Sequence, residues 1–203
     1  TVTSYDGVSL DATSQSYITS VTIAGAGGGA GGSTGGVMLT GAGSVSVNII
    51  NDAIKSYISD STVTNLNSGA VTLAATDQTG IVAIAGSLSV AGAGGAAVGG
   101  VAVTVGASVA VNNIANTTQA FISGSTVSSD TAIELAAESS SHILAVTVAG
   151  SGGGGGGFIG AVVGAGAGSG SDNRVHNTIE AFITDDATKG KSIVTAKNGG
   201  DIS

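Results

Sequence analysis

The sequence predicts an all-β fold: a tandem-repeat β-solenoid, parallel β-helix-like, with long glycine-rich strand excursions. Three observations predict it. First, the phrase Val8-Ser9-Leu10-Asp11-Ala12 returns as Val71-Thr72-Leu73-Ala74-Ala75 and as Ile133-Glu134-Leu135-Ala136-Ala137, and Ile193-Val194-Thr195 opens a fourth copy. The spacings are 63 residues from 8 to 71, 62 from 71 to 133 and 60 from 133 to 193, which points to stacked units rather than one globular core. Second, the strongest local pattern is period-two alternation, the signature of strands. Third, 36 of 203 residues are glycine, aromatics make up 3%, and proline and tryptophan are absent, so small and β-branched side chains must build the core. Glycine costs about 1 kcal/mol per residue inside a helix, and β-branched residues add to that, so no segment reads as helix.

Residues 1–203 therefore form one elongated domain, with units 8–70, 71–132 and 133–192 and the start of a fourth at 193–203. Thr1 is an unusual start and the last residues break off inside a repeat, so the chain reads as part of a longer array. A single unit is not expected to fold alone.

Each unit reads as four parts. A short strand comes first, with Val71, Leu73 and Ala75 on one face and Thr72 and Ala74 on the other. A polar turn follows, Thr76-Asp77-Gln78-Thr79-Gly80 in the second copy. A second strand (Ile18–Ile23, Ile81–Ile84, Ile143–Val148) leads into the glycine tracts at 25–36, 92–100 and 150–157. The long last part returns as strand over 37–63, 101–127 and 159–188. Its second copy alternates cleanly: Val101, Val103, Val105, Val109 and Val111 against Ala102, Thr104, Gly106, Ser108 and Ala110. A sheet wet on one side shows polar residues there. Small neutral residues instead suggest that both faces are covered, or that one packs against another copy of the sheet.

Aligning the copies on Tyr57, Phe121 and Phe182 places Asn48, Asn112 and Asn173 in one column and Asp52, Asn116 and Asn177 in another. In stacked coils, amides above one another act as both donor and acceptor and form a ladder or cap turns, with a polar-ligand or calcium site as the alternative. The aspartate in the first copy interrupts the second ladder. The aromatic column reads as a core anchor in a chain short of bulk, with a carbohydrate-stacking row as the alternative.

Chemistry is sparsely provided. Thirteen carboxylates face five scattered basic residues, a formal charge of −8, which disfavours nucleic acid and anionic membrane surfaces as partners. Residues 12–51, 78–129 and 139–171 carry no charged side chain. They are too rich in Gly, Ser and Thr for helical spans, and membrane insertion is not expected. The glycine tracts lack the lysine of a phosphate loop. No cysteine is present, and His142 and His176 fall in different parts of the repeat, so no metal, cofactor or small-molecule substrate is expected. No carboxylate set or nucleophile triad marks an enzyme.

The phrase Ser108-Val109-Ala110-Val111-Asn112, with Ser44–Asn48 as its first copy, resembles repeats of very large secreted bacterial surface proteins. So does Ala120-Phe121-Ile122-Ser123-Gly124-Ser125-Thr126-Val127. These are similar to filamentous-haemagglutinin-type and leukotoxin-type adhesins; the third copy departs from the pattern at Ser169-Gly170-Ser171-Asp172-Asn173. The resemblance implies a parallel β-solenoid, export across the envelope, and a stalk or adhesive fibre at the cell surface; no catalytic residues carry over. The expected function is thus structural, an extracellular stalk or fibre segment whose partners are adjacent repeats or further copies. One alternative is filament assembly through the Gly/Ala/Ser faces. Others are ice binding through Thr-x-Thr (Thr1-Val2-Thr3 and Thr62-Val63-Thr64, not recurring in register) and a glycan-active β-helix enzyme.

Overall fold

The computed structural model describes residues Thr1–Ser203. Thirteen strands and no helix make up the chain. A first coil contains β2 (Val8–Gly32), β3 (Val37–Ile50), β4 (Ala53–Ser59) and β5 (Thr62–Asn65). The second repeats it as β6 (Val71–Gly95), β7 (Val101–Ile114), β8 (Thr117–Ser123) and β9 (Thr126–Ser129). The third is β10 (Ile133–Gly156), β11 (Val162–Val175), β12 (Thr178–Thr184) and β13 (Ile193–Ala196), and β1 (Val2–Ser4) precedes the first. Every strand pairs in parallel with its counterpart, giving four sheets: β2-β6-β10, β3-β7-β11, β4-β8-β12 and β1-β5-β9-β13. The sequence's fold class is the observed one.

Each coil is flattened. A 25-residue outbound strand runs to a glycine-rich tip, and the return strand runs back over it, so the outbound sheet faces the two return sheets across a thin interior. The outbound strand is about 80 Å long, whereas each coil advances the axis by only about 4.8 Å. Three coils therefore form a slab, wide across the axis and short along it. The accessible surface of 10035 Å² exceeds the roughly 8,300 Å² of a compact monomer of this mass.

Three expectations are corrected. The polar segment Thr76–Gly80 is no turn but the middle of β6. The alternation continues through it, so Asp77 and Thr79 stay on the inner face between Ala75 and Ile81. The fourth unit does not begin at Ile193, because β13 pairs with β9 and closes the third coil. The true counterpart of Ile133 is Ile202, which bridges to it. Six residues inserted between β12 and β13 disguise the period: β5 and β9 are 64 positions apart, β9 and β13 are 67, and their preceding strands β8 and β12 only 61. The insertion forms a tight loop closed by paired Asp186 and Gly190 backbone bonds.

The third correction concerns the two faces of the return strand, which are not both covered. On β7, Ala102, Thr104, Ser108 and Ala110 are wholly buried, and the valine row points outward. Val105, flanked by strands on both sides, is still 51% exposed. The face of small residues does pack against a sheet, but that sheet is the outbound one of the same chain. Size determines the choice. At the distal end Gly28 faces Met38, and a Cβ on Gly28 would fall on the Met38 Cε; the equivalents Ala91 and Ala102 pack against each other. The sheets come too close there for branched side chains to meet. Nearer the closing strands the interior widens and holds Ile54, Ile58, Leu73, Ile122 and Ile133.

The tip glycines have a specific task. Gly35 and Gly160 hold φ of +109° and +114°, which L side chains rarely adopt. Between them, a Cβ on Gly99 would fall on the Gly160 carbonyl oxygen.

Candidate functional site

The interior alternates apolar and polar bands. Along β6, Val71, Leu73 and Ala75 give way to Asp77 and Thr79, then Ile81, Ala83 and Ala85, then Ser87 and Ser89, then Ala91 and Ala93. The first polar band is the richest concentration of chemistry-bearing groups. In the second coil the Asn116 amide nitrogen donates to Asp77 Oδ2 at 2.9 Å and to Thr79 Oγ1 at 2.8 Å. Thr79 Oγ1 in turn donates to Asp77 Oδ1 at 2.5 Å, and Ser139 of the third coil donates to Asp77 Oδ2 at 2.9 Å. Asp77 is wholly buried with no cation beside it, so neutral donors alone hold its carboxylate.

The other coils vary the same cluster. In the first, the acid sits on the return side: Ser14 and Ser16 donate to Asp52 Oδ2. In the third, Asn177 donates to Ser139 and Ser141, both at 2.7 Å. The coils are then tied along the axis. The Asp52 N–H donates to Asn116 Oδ1 at 2.9 Å, and the Asn116 N–H to Asn177 Oδ1 at 3.1 Å. Here Asp52, Asn116 and Asn177 are one stacked column, and Asp52 joins it through its backbone.

Asn48, Asn112 and Asn173 form a side-chain ladder four residues away. Asn48 Nδ2 donates to Asn112 Oδ1 at 2.8 Å, and Asn112 Nδ2 to Asn173 Oδ1 at 2.7 Å. A third link, not anticipated from sequence, is Asn65. It donates to Ser129 Oγ at 3.2 Å and to the Gly69 carbonyl at 2.7 Å, and accepts from the Gly7 N–H. Its signal was present: Asn65 and Ser129 hold the same position after Thr62-Val63-Thr64 and Thr126-Val127-Ser128.

The aromatic column is corrected. Tyr57, Phe121 and Phe182 stack with centroids 5.1 Å apart and planes within 7°, but on the outer surface, with Tyr57 50% exposed. Alternation turns their neighbours Ile58 and Ile122 inward instead. A second outer group is Tyr17 and His142, with ring centroids 6.1 Å apart across Gly80, where a Cβ would meet both rings at 2.7 Å.

Chemically, the first polar band is closed on itself, whereas the Ser87 and Thr104 hydroxyls further along the interior have no partner. Asn116 spends both amide hydrogens and one acceptor site of its Oδ1 on protein partners. No group of three or more His, Cys, Asp or Glu side chains lies close enough to hold a metal. The perturbed carboxyl is in the inserted loop: hydrogen bonds from the Thr188 hydroxyl and N–H, and from the Lys189 N–H, hold Asp186 below its ordinary 3.8. That capping organises the inserted loop. Comparison with protein families, with curated proteins and with solved structures finds no match to this chain.

Proposed function

We propose that this chain is a structural, non-catalytic segment of a large bacterial cell-surface or secreted protein, acting as a fibre. The observation that carries the reading is that its cohesive elements run from coil to coil. Parallel pairing in register, the Asn48–Asn112–Asn173 ladder, the Asp52–Asn116–Asn177 column and the outer ring stack all point along the axis. Such a chain grows by adding coils. As a spacer it is inefficient, since about 62 residues advance the axis by about 4.8 Å. The design favours broad lateral faces over reach, so fibre fits better than stalk. On β7 the small-residue face is buried within the chain, so the Lys substitutions that would probe assembly there, at Ala102 and Thr104, fall in the core.

The test is small-angle scattering from chains in which residues 71–132 are duplicated. Each added unit is expected to thicken the slab by about 4.8 Å at unchanged width. Growth by separate compact beads would overturn the reading.

One observation favours a second reading, ice binding. Thr-x-Thr motifs do stack in register on the narrow closing sheet, contrary to expectation. Thr3 pairs with Thr64, Thr64 with Ser128 and Thr62 with Thr126. Alternation turns these hydroxyls outward, away from buried Val63, Asn65 and Val127. Measurable thermal hysteresis, lost in Thr64→Lys, would support it; its absence in the unmodified chain would remove it.

A further inference from the structure

We propose that two copies of this chain pair face to face through the outer surface of the sheet formed by β3, β7 and β11. This rests on the structural reading above and names its partner. The surface has seven outward rows. In the first coil they carry Val37, Leu39, Gly41, Gly43, Val45, Val47 and Ile49, and in the second Val101, Val103, Val105, Ala107, Val109, Val111 and Asn113. Neither strand bears a charge. In the third coil four successive rows are Gly164, Gly166, Gly168 and Gly170, with the Asp172–Arg174 ion pair at the rim nearest β12. One side of the sheet carries branched side chains in two groups, Val37–Leu39 and Val45–Ile49, parted by Gly41 and Gly43, and the other is a bare strip.

That asymmetry is self-complementary. A two-fold axis lying parallel to the strands over the middle coil places the first coil of one copy on the third coil of the other. Leu39 then meets Gly164 of the second copy, and Val45 meets its Gly170, because each pair shares a row. The same patch serves both partners, as an isologous interface requires. Fourteen residues by three strands gives a footprint of about 650 Å² per copy, or about 1,300 Å² in the pair, within the range of specific interfaces. The outer face of the outbound sheet is a poorer candidate. Asp11, Glu134 and Glu138 project from it, and the Tyr17 and His142 rings stand in the way of a flat partner.

The experiment is sedimentation equilibrium of the 203-residue chain and three variants. Val105→Lys places a charge on the middle strand, at the centre of the face. Gly168→Lys fills the strip at a position where an added Cβ meets nothing within 4 Å, so the isolated fold has room for it. Gln78→Lys, on the opposite outer face, is the control. Dimers are expected for the unmodified chain and for Gln78→Lys. Each of the other two weakens the dimer by about 100-fold or more, since symmetry puts every introduced lysine in the dry interface twice. A monomeric unmodified chain, or a dimer indifferent to both substitutions with circular dichroism unchanged, overturns the pairing. Flotation of a monomeric unmodified chain with phosphatidylcholine vesicles, abolished by Val105→Lys, would reassign the face to lipid. Scattering from the monomeric variants separates this from the fibre reading: slab dimensions that persist leave that reading standing when the pairing fails.

Discussion

Replacing Asn112 by alanine should cost about 3 kcal/mol of stability. The side chain is wholly buried and occupies the middle rung of its ladder, accepting from Asn48 at 2.8 Å and donating to Asn173 at 2.7 Å. Each bond contributes about 1 kcal/mol net, and the void left by truncation adds about as much again. The stranded partners limit the loss. Asn48 keeps Ser46 Oγ at 3.0 Å, and Asn173 lies on the exposed outer coil, where water replaces its missing donor. The control is Asn113→Ala, next on the strand but facing outward, which should stay within about 0.5 kcal/mol of the unmodified chain. Urea unfolding followed by circular dichroism reads both. A double-mutant cycle of Asn48→Ala with Asn112→Ala should return a coupling of about 1 kcal/mol. Equal costs for Asn112→Ala and Asn113→Ala, or a coupling of zero, would show that the ladder does not hold the coils together.

Other substitutions probe other parts of the account. Thr104→Val should leave stability unchanged or raise it by about 1 kcal/mol, because the buried Thr104 hydroxyl has no partner and valine keeps its shape; a loss in thermal denaturation would mean that an unseen group bonds it. Gly99→Ala should abolish native coil closure at the tip, seen as a lost cooperative transition, since the added methyl falls on the Gly160 carbonyl; a normal melting curve would contradict the tip geometry. Acid should loosen the inserted loop. The Asp186 carboxyl is held below its ordinary 3.8, so its bonds to Thr188 and Lys189 are complete above that value and lost as pH falls through the lowered one. Exchange of the Lys189 amide should accelerate over that acid range relative to intrinsic rates, and an unchanged protection factor would refute the capping.

Most of the fold was legible, because period-two alternation and a 62–63-residue repeat leave few alternatives to a solenoid. The asparagine columns were legible for the same reason: stacking makes equal positions neighbours. Three features were not. A run such as Thr76–Gly80 has turn composition, and only the facing Asn116, some 40 residues away, makes an inward Asp77 tolerable within a strand. Valine against alanine is normally the inner face of a strand, but the order inverts where glycines such as Gly28 draw two sheets together, a tertiary distance that no local window contains. The outward ring column follows from the same limit. Alternation shows that Tyr57 and Ile58 oppose one another, but which of them faces in is decided by the sheet that packs opposite.

The most direct test of parallel coils in this register is disulfide closure, in a chain that has no cysteine of its own. Gln78 pairs with Ser140 within the segment that resembles a turn, and both side chains face outward. In-register parallel neighbours lie about 4.8 Å apart, inside the range a disulfide spans, whereas a partner four residues further along is about 13 Å more distant along the strand. Oxidation of Gln78→Cys/Ser140→Cys should close an intramolecular bond in full, and Gln78→Cys/Leu144→Cys should close none. Closure of the second pair, or failure of the first in a folded chain, would contradict the architecture.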